Sequence, residues 1–143
     1  MINILLQALL FGVLGLLVED VFTGVASLLR GDRKATTTSY LYMPVVWALG
    51  GLFFRLVAPG VEALPWFFAR WLVWMALIYV LEAISGSLLK RWLGLVPWDY
   101  SESRGSALGG TVNLLFIPYW LALAVAVSPV LHFVAWMASR LLN

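Results

Sequence analysis

Four long apolar runs, separated by polar links, dominate the pattern of this 143-residue chain. A membrane-spanning helix needs about 20 mostly apolar residues, and each run meets that length. The pattern predicts an all-α fold in which residues 1–143 form a single domain, an integral membrane bundle of four transmembrane helices with both termini on the same side. The predicted helices cover about residues 4–29, 40–57, 64–89 and 112–137, and the two longer links cover about residues 30–39 and 90–111.

The composition favours lipid as the environment of the chain. Apolar residues make up 63% of the sequence and charged residues 11%, whereas soluble domains average about 45–50% and about 25%. The net charge of +2 is small and forms no basic face, which argues against nucleic acid as a partner. The chain has no cysteine and a single histidine, so thiolate and histidine-rich metal sites are excluded and no cofactor is expected.

Basic residues on the links predict the orientation in the membrane. Cytoplasmic links carry an excess of Lys and Arg in most membrane proteins. The two longer links with their flanks hold most of the nine basic residues: Arg30, Arg33, Lys34, Lys90, Arg91 and Arg104. The opposite side holds Arg55, Arg70 and Arg140. Both longer links are therefore predicted to be cytoplasmic, with the termini outside.

Three carboxylic acids, Glu19, Asp20 and Glu82, lie inside predicted spans. One Asp near a helix centre costs roughly 2.5–3.5 kcal/mol, so three uncompensated acids would cost about 7–10 kcal/mol. Such groups must be protonated, paired or turned towards a wet protein interior. Glu19 shares a helix face with small residues, which favours packing of that face on protein. Helix geometry predicts that all three acids lie at one level in the cytoplasmic half.

The helical neighbours of Glu82 predict a polar site. Tyr79 and Ser85 lie about one turn away and can hydrogen-bond the carboxyl group. The acids then form either a binding site for a cation, a proton or a polar headgroup, or a structural clasp between helices one and three. The sequence leaves both interpretations open.

The second long link adds Trp98, Asp99 and Tyr100, followed by several turn-forming residues. Turn formation explains most of this link, since Asp99 can cap the local turn through Ser101. The two aromatic residues also suit a loop at the level of the lipid headgroups. A second interpretation is that the three residues form a polar mouth beside Glu82.

Two further polar residues, Arg55 and His132, lie at a second level nearer the outer face. Arg55 can reach the outer interface through its long side chain, and His132 suits a packed or interfacial position. The sequence contains no phosphate-binding glycine loop, no nucleophile elbow and no carboxylate–histidine metal motif. We therefore do not expect an enzyme, and we assign no catalytic or metal-binding residues.

Most of the chain, from about residue 12 to 123, resembles a known family. The matching stretches are Gly15–Gly24, Gly31–Arg33, Ser39–Pro44, Ile78–Gly86, Pro97–Ser101 and Gly110, with the spaced Leu114, Phe116, Pro118 and Trp120. They are similar to the transmembrane protein 229 family and to the related bacterial membrane proteins labelled Putative ABC-transporter type IV. The resemblance implies a four-helix protein of a bacterial inner membrane. If the family shares a site, the matching positions are Glu19, Glu82, Trp98, Asp99 and Tyr100.

Some positions depart from the pattern that the resemblance leads us to expect. Trp47 follows Pro44-Val45-Val46 in place of a Pro-Ile-Tyr-Gly-like run, Arg55 replaces an acid, and Ala107 replaces an Asn. A site built from those polar groups would be altered in this chain.

The leading functional hypothesis is a small membrane binding or transport component that uses the carboxyl cluster. The competing hypothesis is a non-catalytic accessory or scaffold subunit of a larger membrane complex, and a less favoured third is a lipid-acting membrane enzyme. Membrane lipid is the expected surrounding, and a homo-oligomer or larger complex is expected because four helices bury little interior. We find no internal repeat by which to predict an inverted-repeat transporter.

Overall fold

The computed structural model describes residues 2–95 and 97–142. Within those ranges four long helices follow one another: α1 (Ile2–Leu29), α2 (Met43–Glu62), α3 (Phe67–Leu93) and α4 (Ile117–Leu141). Each is long and apolar enough to cross a membrane. The predicted all-α class with four transmembrane helices is therefore confirmed.

The C-terminal ends of α2 and α3 lie beyond the predicted ones. The sequence placed these ends near residues 57 and 89, whereas α2 continues to Glu62 and α3 to Leu93. The last turn of α3 holds Lys90 and Arg91, which suit the negative end of the helix dipole. The apolar pattern ends before the helix does, because a helical backbone can continue through charged residues.

The predicted start of the fourth helix near residue 112 is wrong. Val112–Asn113 forms strand β2, which pairs antiparallel with strand β1 (Ser106–Ala107), and Leu114–Phe116 forms a 3₁₀ turn before α4 begins. The Asn113 side chain accepts a hydrogen bond from the Leu115 backbone N–H at 2.9 Å and so caps this turn. An apolar run by itself does not distinguish such a segment from a helix.

The chain divides into two compact units, and each has its own packing. The first contains Met1–Leu56 and Leu131–Asn143, and the second contains Val57–Val130. In the first unit, the small-residue face of α1 lies against the start of α2. A Cβ on Gly12 would lie 2.8 Å from the Pro44 carbonyl oxygen, and a Cβ on Gly15 would overlap the Trp47 ring. The expectation that this face packs on protein is confirmed.

The second unit is built on one face of α3. Its buried residues recur every four positions, at Trp74, Ile78, Glu82 and Gly86. The Trp74 indole donates a hydrogen bond to the Ser128 hydroxyl in α4 at 3.1 Å. A carboxylic acid therefore lies in the middle of an otherwise apolar or small helix face.

Candidate functional site

The Glu82 carboxyl group is the most enclosed acid among the described residues, with 8% of the residue exposed. Its Oε2 atom accepts a hydrogen bond from the Trp120 indole N–H at 3.2 Å. The Tyr100 hydroxyl also hydrogen-bonds this carboxyl group. We call Glu82, Tyr100 and Trp120 the Glu82 site. Both partners are neutral donors, so the carboxyl group is held without a positive charge.

Aromatic rings fix the positions of the two donors. The Phe116 ring meets the Tyr100 ring edge to face at a centroid distance of 5.2 Å, and it meets the Trp120 ring at 6.4 Å. The Tyr79 ring lies at a right angle to Trp120, also at 6.4 Å. These distances and angles are those of favourable aromatic pairs. The rings therefore hold the indole N–H and the phenol O–H towards Glu82.

The second long link reaches Glu82 because hydrogen bonds join its first part to its last part. The Tyr100 N–H donates to the Gly110 carbonyl at 2.8 Å, and the Trp98 indole donates to the Thr111 carbonyl at 3.2 Å. Gly110 has a φ of +88°, a conformation that glycine adopts without the steric penalty of a side chain. These bonds form the loop that carries Tyr100.

Gly86 lets this loop lie directly on α3, one turn beyond Glu82. A Cβ on Gly86 would lie 3.1 Å from Thr111 Cβ and 3.3 Å from the Trp98 indole nitrogen. The missing side chain thus provides the space that the link occupies. The Tyr79 hydroxyl adds a second tie by donating to the Asn113 carbonyl at 3.2 Å.

The protonation state of Tyr100 suits a donor. Burial of the phenol, followed by the neighbouring Glu82 carboxyl, raises the pKa of Tyr100 well above its ordinary range. The hydroxyl therefore keeps its proton at any pH at which a cell operates. It can donate to Glu82 whether that carboxyl group is neutral or ionised.

Tyr79 and Ser85, the two predicted hydrogen-bond donors to Glu82, donate to other groups. Tyr79 donates to Asn113, as above, and Ser85 donates to the Leu81 carbonyl at 2.6 Å. A serine hydroxyl in a helix reaches the carbonyl of the preceding turn easily, and this local bond competes with a bond to Glu82. The expectation that Ser85 and Tyr79 bond the Glu82 carboxyl is therefore wrong.

Asp99 forms a turn cap and is exposed. Its Oδ1 accepts from the Ser101 backbone N–H at 2.9 Å. This bond, with a further one from the Ser101 side chain, lowers the pKa of Asp99. Of the three consecutive residues predicted as a polar mouth, Tyr100 bonds Glu82, Trp98 ties the loop, and Asp99 stabilises the turn.

The other two acids lie in the first unit. Glu19 is half-buried, and its Oε2 accepts a hydrogen bond from the Trp47 indole N–H at 3.0 Å. Asp20, also half-buried, borders a groove of about 360 Å³ together with Gly24 and Thr37. Glu19 and Glu82 each accept these hydrogen bonds from residues of their own unit. Arg55 and His132, the second predicted level, both have exposed side chains.

Trp47 and Trp120 are the site residues that the sequence reasoning missed. Both appeared there only as parts of a family pattern or of a departure from it. A signal was present, because each comes two or three residues after a proline, at the start of the helix that follows the one bearing the acid.

The donor set indicates which ligand suits the Glu82 site. An indole N–H has no lone pair for a metal ion, and a protonated phenol is a weak ligand. Among residues 2–95 and 97–142, no group of three or more His, Asp or Glu side chains is arranged to hold a metal ion. The N–H of Trp120 and the O–H of Tyr100 are suited to bind a carboxyl oxygen.

The four helices and the buried acid define a polytopic membrane protein. The family model described as Putative ABC-transporter type IV matches residues 6–142, which include nearly all of the chain. The protein belongs to this family. No curated protein and no solved structure matches the chain.

Proposed function

We propose that this protein is a small membrane transport component in which Glu82 takes up and releases a proton. The observation that carries the proposal is the enclosed Glu82 carboxyl group, held by the N–H of Trp120 and the O–H of Tyr100. No described basic residue forms an ion pair with it. Acids inside membrane spans commonly belong to ion pathways or proton relays.

The two donors make both protonation states of Glu82 accessible. The neutral acid carries no charge and is tolerated in apolar surroundings, while the anion is stabilised by hydrogen bonds from Trp120 and Tyr100. A cation such as Ca²⁺ would instead require about 6–8 oxygen ligands. A proton therefore fits the Glu82 site better than a metal cation, and better than a headgroup too large for an enclosed position.

The orientation and assembly belong to the same proposal. The excess of basic residues on the two longer links supports a cytoplasmic position for both, with the termini outside. Membership in a transporter-type family supports a position in a membrane, and a bacterial inner membrane stays a prediction from the sequence resemblance. A homo-oligomer would provide the interior that four helices in one chain provide only in part.

The test uses purified protein in lipid vesicles, with the proton itself as the probe. Infrared difference spectra between acidic and neutral pH should contain the C=O band of protonated carboxylic acids, and Glu82→Gln should remove one component of that band. Vesicles that contain a pH-sensitive dye should acidify more slowly with this variant under an imposed proton gradient. Glu102→Gln, on the exposed link, is the matched control and should behave as wild type. Identical spectra and rates for Glu82→Gln and wild type would refute the proposal.

A second candidate is an accessory subunit of an ATP-driven transporter. The family description names an ABC transporter, yet the 143 residues contain no phosphate-binding G-x-x-x-x-G-K-[ST] motif. ATP-driven transport would then need a nucleotide-binding partner chain. Native mass spectrometry of protein released gently from its own membrane tests this, since a stable complex with an ATPase supports the accessory role and a homo-oligomer alone counts against it.

A further inference from the structure

Although the sequence by itself shows no internal repeat, the contacts of the structure single out two stretches in which similar residue types follow in the same order, with different spacings. Each begins with a glutamate in one helix and has a hydroxyl residue and a glycine about one turn later. A threonine then stands seven residues before a proline, and a tryptophan follows the proline at the start of the next helix. The first stretch is Glu19, Thr23, Gly24, Thr37, Pro44 and Trp47, and the second is Glu82, Ser85, Gly86, Thr111, Pro118 and Trp120.

The structure joins the two ends of each stretch by the same hydrogen bond. Trp47 Nε1 donates to Glu19 Oε2 at 3.0 Å, and Trp120 Nε1 donates to Glu82 Oε2 at 3.2 Å. In both cases the acid lies on the first helix of a pair and the indole lies near the start of the second helix.

The glycine and the threonine also meet in the same way. A Cβ on Gly24 would lie 3.2 Å from Thr37 Cγ2, and a Cβ on Gly86 would lie 3.1 Å from Thr111 Cβ. In each stretch the glycine therefore gives the link room to lie on the first helix. Both contacts, from indole to acid and from glycine to threonine, therefore occur in each stretch.

The two stretches differ in the second donor to the acid. The longer second link provides the Tyr100 hydroxyl to Glu82, and no described hydroxyl takes that place at Glu19. Instead the Tyr42 hydroxyl is buried without a hydrogen-bond partner among the described residues. Burial raises the pKa of Tyr42, and Tyr40 and Glu19 add to that shift, so Glu19 lies within electrostatic range of this ring.

We infer that the chain carries one helix–link–helix motif twice, and that Glu19 forms a second proton-binding site, built like the Glu82 site but with its second donor position open. A water molecule held by both the Glu19 carboxyl and the Tyr42 hydroxyl would satisfy both groups. The nature of the ligand rests on the proposed function of Glu82, whereas the repeat rests on the contacts alone.

Infrared difference spectra between acidic and neutral pH test this inference with wild type, Glu19→Gln, Glu82→Gln and the double variant in lipid vesicles. Two components of the protonated carboxyl band are expected, one lost in each single variant and both lost in the double variant. A Glu19→Gln spectrum identical to wild type overturns the inference while leaving the proposed function intact. Loss of a component in Glu19→Gln but not in Glu82→Gln supports the second site and refutes the proposed role of Glu82.

Matched indole variants keep the test decisive if a glutamine variant does not fold. Trp47→Phe should shift only the Glu19 component, and Trp120→Phe should shift only the Glu82 component, because each removes one N–H donor while leaving both carboxyl groups. A Trp47→Phe spectrum without a shift refutes the equivalence of the two motifs. Glu102→Gln again serves as the control for an exposed acid.

Discussion

The bond between Trp120 and Glu82 should change in strength with the charge of the acid. Trp120→Phe removes the N–H that donates at 3.2 Å but keeps an aromatic ring beside Phe116 and Tyr79. Glu82→Gln keeps an oxygen acceptor but cannot ionise. A hydrogen bond to a neutral group contributes about 0.5–1.5 kcal/mol to stability, whereas one to a charged group contributes about 1.5–3 kcal/mol. The difference, about 1 kcal/mol, is the expected coupling between the two substitutions when Glu82 is ionised.

A double-mutant cycle measures this coupling directly. The free energy of unfolding of wild type, both single variants and the double variant is obtained in mixed micelles by titration with a denaturing detergent, followed by far-ultraviolet circular dichroism. The cycle cancels the change in ring size because Trp120→Phe occurs in both arms. The coupling should be near zero at acidic pH, where the acid is neutral, and about 1 kcal/mol at alkaline pH. A coupling below about 0.5 kcal/mol at both pH values, within the usual error of additivity, would refute an ionising Glu82 bonded to Trp120.

Three further substitutions have expected outcomes. Tyr100→Phe should lower the free energy of unfolding by about 1 kcal/mol. The wild type should lose stability above pH 10.0, the ordinary Tyr pKa, because folding raises the pKa of Tyr100, and this loss should be smaller in the variant. Thermal melts across alkaline pH measure both effects. Gly86→Val should displace Thr111 and increase hydrogen exchange in the second link, whereas Gly60→Ala, with open space around its Cβ position, should not. Asp32→Asn should remove the loss of stability below pH 3.8 that follows from the lowered pKa of Asp32, and acid melts measure it.

For each of these predictions, one result would contradict it. Unchanged alkaline melts in Tyr100→Phe would mean that the phenol is not buried against Glu82. Equal exchange in Gly86→Val and Gly60→Ala would mean that the link does not lie on α3. The sign for Asp32 follows from hydrogen bonds donated by Thr36, Lys34 and Ser27, which favour the folded carboxylate and lower its pKa. Acid stability that is the same with and without Asp32→Asn would contradict that assignment.

The sequence predicted the helices well because hydrocarbon requires each spanning segment to satisfy its own backbone groups. It predicted the helix ends less well, since α3 continues through the charged residues Lys90 and Arg91, where the apolar pattern has already ended. It could not distinguish the strand at Val112–Asn113 from a helix start. That distinction depends on positive φ angles at Gly109 and Gly110, which place the chain in a turn.

For the candidate site, the sequence alone determined which acids need an explanation. The cost of placing a carboxyl group in lipid depends only on the residue and its depth, so Glu19 and Glu82 could be singled out from the pattern. Their partners could not be. Trp47 and Trp120 lie 28 and 38 residues further along the chain, and only the packing of helix on helix brings their N–H groups within hydrogen-bonding distance. Such pairing depends on where two backbones approach, which the small residues permit but which only the tertiary structure decides.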